Sequence, residues 1–132
     1  MTPRARTTNP AAVLAMDAAA LLLFALLARI AHNSPELPLS LPGVLSTWWP
    51  FLIGGLIGGA VVLGIRRPAA AVSPSGIIVW IIAVVVGLGI WGIRHGQVPH
   101  ISFIIVASTT SAILLLGWRA IAAASARRAA RR

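Results

Sequence analysis

Residues 48–68 read Trp48-Trp49-Pro50-Phe51-Leu52-Ile53-Gly54-Gly55-Leu56-Ile57-Gly58-Gly59-Ala60-Val61-Val62-Leu63-Gly64-Ile65-Arg66-Arg67-Pro68, and this stretch decides the fold. Aromatic residues open it, an apolar and glycine run fills it, and two arginines close it. That is the pattern of a helix crossing a bilayer from one interface to the other. Gly54 and Gly58 are four apart, as are Gly55 and Gly59, so two rows of small residues lie on adjacent faces where another backbone can come close. Packing within the same subunit is the simpler reading of these glycines; a homodimer face is the other. Pro50 belongs to the first turn if the helix begins at Trp48 or Trp49. If the helix reaches back to Pro42, Pro50 lies inside it and is expected to kink it.

The same pattern recurs along the chain. Ala11–Ala31 is an apolar run broken only by Asp17 and Arg29, long enough for a hydrocarbon core that takes about 20 residues. Asp17 interrupts what would be the core of a signal peptide and no cleavage site follows, so the run is expected to stay as a helix. Further spans are expected over 44–65, 76–93 and 101–120. Residues 1–10 form a polar lead and 121–132 a tail of alanine and arginine. Residues 11–120 are thus one all-α domain, an up-down four-helix transmembrane bundle with short connections. Composition agrees, with 58% hydrophobic residues and a mean hydropathy of +0.92, outside the range of water-soluble domains.

The net charge is +9, and all eleven basic residues are arginine. They flank the spans and do not interleave with aromatics, which argues against nucleic-acid binding. Arg4, Arg6, Arg66, Arg67, Arg119, Arg127, Arg128, Arg131 and Arg132 fall on one side of the four spans, and only Arg29 and Arg94 on the other. The positive-inside rule then predicts a multi-pass protein of the cell inner membrane with both termini cytoplasmic. The tail arginines are spaced to form a basic ribbon for anionic lipid, although ordinary topogenic charge explains them equally.

Cysteine is absent, which removes disulfides, thiolate metal ligands and thiol nucleophiles. Asp17, about 6–9 Å below the cytoplasmic interface at the helical rise, is too costly to leave bare. It is expected to pair with Arg119 or Arg66 in a bridge between helices; the alternative is a proton-coupling carboxylate. Arg29, His32, Arg94, His95 and His100 gather at the outer face, with Glu36 the nearest acid. They read as interfacial anchors or as an anion or lipid-headgroup site; a metal site is disfavoured because no carboxylate or thiolate stands at ligand spacing. Ser108, Thr109, Thr110 and Ser111 form a polar belt halfway along the fourth span, either bonding to their own helix or lining a polar cavity. His100 is too far along the helix to serve Ser108 or Ser111 as a catalytic base, and no nucleophile elbow exists. Arg29/His32 and Arg94/His95 end alternate spans alike, but the match goes no further, so a duplication is not favoured.

Taken in order, the Asp in the first span, Arg29 followed by His32, Trp49-Pro50-Phe51 before the paired glycines, Arg66-Arg67-Pro68, the P-x-G-x-x-V-W of Pro74–Trp80, and Ser102–Ala107 leading to Gly117-Trp118-Arg119 resemble a prokaryotic four-helix membrane family, domain of unknown function 3054. The likeness covers roughly residues 13–120. It implies a small four-span membrane protein and carries no activity, cofactor or metal. The expected function is non-enzymatic, an accessory or interaction subunit packing with a lipid or membrane-protein partner. The alternative is a small homodimeric proton-coupled transporter or channel using Asp17 and the belt.

Overall fold

The computed structural model describes residues 9–31 and 39–131. They form four helices: α1 (Pro10–Ala31), α2 (Leu41–Gly64), α3 (Ile77–His95) and α4 (Ile101–Ala130). Each segment is long and apolar enough to cross a membrane, with α3 extended by the preceding turn to Val72–His95. Neighbours pack α1 on α2, α2 on α3, α3 on α4 and α4 on α1, which closes an up-down square. We call the end with the start of α1, the α2–α3 loop and the α4 tail the terminal end, and the opposite one the distal end.

The helices begin and end where local chemistry requires. Ser40 caps α2, its hydroxyl accepting from the Gly43 N–H at 3.1 Å, and Pro42 sits in the first turn where a missing N–H costs nothing. The helix therefore starts three residues before the expected 44 and takes Pro50 into its interior. Pro50 has no N–H for the Ser46 carbonyl one turn back. Arg94 fills that vacancy, donating to the Ser46 carbonyl at 3.2 Å and to its hydroxyl at 3.0 Å. At the other end, Arg66 and Arg67 N–H groups reach back to the Leu63 and Val62 carbonyls, a Schellman stop that puts Arg66 at φ +59°. Glycine takes the equivalent place after α3, Gly96 at φ +66°.

Further boundaries differ from the sequence reading. Before α3, Val72–Gly76 make one wide turn in which the Gly76 N–H donates to the Ala71 carbonyl at 2.9 Å, so the chain re-enters the bundle before the regular helix starts. Helix α4 does not stop at 120 but continues to Ala130. Alanine has the highest helix propensity, and arginines in the last turn suit the negative end of the helix dipole.

Lipid solvates apolar side chains as well as a neighbouring helix does, so bundles of this kind depend on close contact rather than on apolar burial. The α2–α3 seam shows how. A Cβ placed on Gly54 would lie 2.7 Å from the Ala83 Cα, and one on Gly58 2.8 Å from the Val79 Cα. Backbone therefore meets backbone. Gly55 and Gly59 face Leu21 and Leu14 of α1, so both rows of small residues are used inside the subunit. Phe24 and Phe51 meet edge to face at 4.7 Å between ring centres, and with Leu21, Ala83, Ala107 and Leu115 they fill the middle of the bundle with almost no accessible surface. Val85, Ile105 and Ile113 point outward, an arrangement suited to lipid and a liability in water.

Candidate functional site

The terminal end holds a buried ion pair. Asp17 points inward from the second turn of α1, and Arg119 reaches it from α4. Their fork is bidentate: Nη1 to Oδ1 at 2.8 Å and Nη2 to Oδ2 at 2.9 Å. Arg119 has no accessible surface and Asp17 only 3%. Two buried charges are tolerable only when their remaining hydrogen-bonding groups are matched. Here they are: Arg119 Nη1 also donates to the Leu115 carbonyl and Nε to the Ala69 carbonyl, each at 3.1 Å. The Trp118 indole N–H donates to Asp17 Oδ1 at 3.0 Å, and the guanidinium lies 4.6 Å from the Trp118 ring centre. Gly76 admits the arginine, since a Cβ there would fall 2.9 Å from the Arg119 Cδ.

The pair thus ties α1, α4 and the α2–α3 loop in one register. Ser75, fully buried, fastens the same loop by donating its hydroxyl to the Pro68 carbonyl. Arg66, the other expected partner for Asp17, is exposed at the helix stop. Both oxygens of the carboxylate are therefore engaged by the guanidinium, and neither faces an open path.

The belt on α4 divides between two faces. Ser111 is buried and its hydroxyl donates to the Ala107 carbonyl of its own helix, with the Ser108 carbonyl as a second acceptor at 3.3 Å. That Ser108 carbonyl also accepts the Trp80 indole N–H at 2.9 Å, a polar tie between α3 and α4. Thr109 lies on the exposed face. The residues of the belt therefore do not share one cavity wall.

The distal end is built differently. Arg29, in the last turn of α1, donates Nε to the Thr47 hydroxyl at 2.9 Å. Arg94 approaches the same part of α2 from α3 through Ser46, with its guanidinium 5.2 Å from the Trp49 ring centre. The two arginines are close enough to repel each other. His95 stacks on Trp91 at 4.0 Å and its Nδ1 meets the Trp91 carbonyl at 2.8 Å, so that nitrogen carries the proton. His100 has the opposite tautomer: its Nδ1 accepts from the Ser102 N–H at 3.1 Å as the cap of α4, which leaves Nε2–H as its donor. His32, expected in this cluster, and Glu36 lie outside the described residues.

Between these groups is a cleft of about 190 Å³ lined by Ala28, Arg29, Thr47, Trp91, His100 and Ser102, with Phe103 beside Trp91. All four helices contribute to it. Sequence reasoning placed the arginines and histidines at this end but missed Thr47 and Ser46 as their anchors, and missed Trp118 and the Ala69 carbonyl as partners of the ion pair. The proline at 50 was the available signal for Ser46; nothing in the sequence marks a loop carbonyl as an acceptor. Among the described residues no three His, Asp or Glu side chains converge as a metal site.

The model of a family described as protein of unknown function DUF3054 matches residues 14–122. No curated protein and no solved structure matches the chain.

Proposed function

We propose, from the premise that the chain belongs to the DUF3054 family of proteins of unknown function, that it is a non-enzymatic interaction protein of the cell inner membrane. It acts by packing with lipid or with another membrane protein. The observation that supports this best is the closed interior: Asp17 is consumed by Arg119, Ser111 by its own helix, and the middle of the bundle is filled by Phe24, Phe51 and Leu21. A proton-coupled carrier needs a titrating group facing a wetted path. Asp17 instead sits in a saturated ion pair. The glycine rows have neighbours within the subunit, which favours an intramolecular role for them over a homodimer seam.

In this reading both termini and the α2–α3 loop face the cytoplasm, as the arginine distribution favours. Helix α4 then carries Arg127, Arg128 and Arg131 up to about 15 Å beyond Ala120 at the helical rise. That is within reach of anionic headgroups, each worth about 1 kcal/mol near the surface. Nucleic acid has no part in it. The test is the mass of the particle extracted from its own membrane into native nanodiscs. A fixed-stoichiometry complex with another membrane protein, or with retained phospholipid, supports the proposal. A bare chain or a bare homodimer overturns it.

A further inference from the structure

The two ends of the bundle treat charge in opposite ways. At the terminal end Arg119 uses four of its five N–H groups on Asp17, Ala69 and Leu115. At the distal end Arg29 is anchored by Nε alone, and among the described residues neither of its Nη nitrogens has an acceptor. Arg94 stands nearby with the same sign. Asp17 is the sole carboxylate among the described residues and lies at the other end of α1. Two repelling guanidiniums near an open cleft call for an anion from outside the described protein.

We propose that this cleft binds the phosphodiester of an anionic glycerophospholipid, with the Arg29 Nη fork as the principal donor. His100 Nε2–H is a second donor at the cleft, and Arg94 supplies field rather than contact. The phosphate of a lipid fits better than a free anion for three reasons. Arg29 stands at the end of an apolar helix, the depth of a headgroup. The walls offered by Ala28, Trp91 and Phe103 are apolar and suit the glycerol region. Ile30, Ile101 and Ile105 are exposed on α1 and α4, the helices that supply Arg29 and His100, and give the acyl chains an apolar path. Arg29 and Arg94 carry like charge at this end, so a headgroup of net negative charge is preferred to a zwitterionic one. The first turn of α4 is not the basis of the site, since the Ser102 N–H is already taken by His100. The inference names the lipid partner of the interaction reading above and rests on it.

The experiment is native mass spectrometry of the full chain in detergent, titrated with phosphatidylglycerol, phosphatidylcholine or inorganic phosphate. One phosphatidylglycerol is expected to be retained roughly tenfold or more in preference to phosphatidylcholine, the scale of a charge-assisted hydrogen-bonded contact. Arg29→Gln is expected to abolish that preference. Should Arg29→Gln fail to fold, Ser102→Trp fills the cleft from an exposed position while leaving both arginines in the chain, and is expected to lower retention about tenfold by the same scale. Equal retention of the two lipids, an unchanged preference in the variant that folds, or Arg29-dependent binding of inorganic phosphate without lipid each overturns the proposal. If lipid preference is absent while another membrane protein still co-purifies, this site falls and the interaction reading stands. A bare particle removes both.

Discussion

Breaking the Asp17–Arg119 pair from each side and then from both should give three stabilities that no sum of independent contacts reproduces. Asp17→Leu leaves a buried guanidinium with only the Ala69 and Leu115 carbonyls as partners. Arg119→Met leaves a buried carboxylate with only the Trp118 indole N–H. Removing one member of a buried pair typically costs about 3–5 kcal/mol, because the survivor keeps its desolvation and loses its counter-charge. Independent effects would put the double variant about 6–10 kcal/mol below the parent by the same figures. The pair Asp17→Leu with Arg119→Met instead removes both charges. What remains unmatched is the Ala69 carbonyl and the Trp118 N–H, a loss on the order of 1–3 kcal/mol. The coupling energy should therefore be at least about 3 kcal/mol, and the double variant should be more stable than either single one. Unfolding in mixed micelles, followed by tryptophan fluorescence, measures all four proteins. A double variant that equals the sum of its singles within about 0.5 kcal/mol would refute the reasoning. So would single variants that each cost less than about 1 kcal/mol.

Three further expectations come from the backbone and the charges. Gly54→Ala and Gly58→Ala should each cost about 1–3 kcal/mol or more by overpacking, because the new methyl meets the α3 backbone. Gly89→Ala, with nothing within 4 Å of the added atom, should gain up to about 1 kcal/mol in thermal melts compared across the three. Arg66→Gly should relieve a left-handed arginine and stabilise by about 1 kcal/mol in the same melts; a loss there would mean that the Arg66 side chain has a partner in the membrane. A fluorescent protein fused after Arg132 should be bright and an alkaline phosphatase at the same site inactive, as a cytoplasmic C-terminus requires; the reverse pattern would invert the topology.

The number, order and approximate limits of the helices were legible because a hydrocarbon slab imposes one length on every apolar run, and because Arg66-Arg67-Pro68 and Arg94-His95-Gly96 interrupt the runs so sharply. The pairing of Asp17 with Arg119 was legible for a related reason. A lone carboxylate at that depth needs a cation, and few were available. Other features depend on tertiary contact. The wide turn at Val72–Gly76 forms because Gly76 must make room for Arg119 while Ser75 bonds back to Pro68; Pro68 is close in sequence, but Arg119 is more than forty residues away. Which glycine row meets which helix is fixed by the rotation of α2, and both rows look alike as letters. Pro50 inside α2 leaves a carbonyl free, but that Arg94 takes it required the α2–α3 register. The α4 tail is a boundary that alanine content alone could have extended to Ala130.

Flux across liposomes reconstituted with the purified chain tests the central claim most directly, since a closed interaction bundle and a conduit differ there without ambiguity. With a proton gradient and a trapped pH indicator, the account predicts dissipation no faster than in protein-free liposomes, for the parent and for Asp17→Asn alike. Proton flux that the parent supports and Asp17→Asn abolishes, at equal incorporation, would contradict it and put the carboxylate of Asp17 back in a transport path.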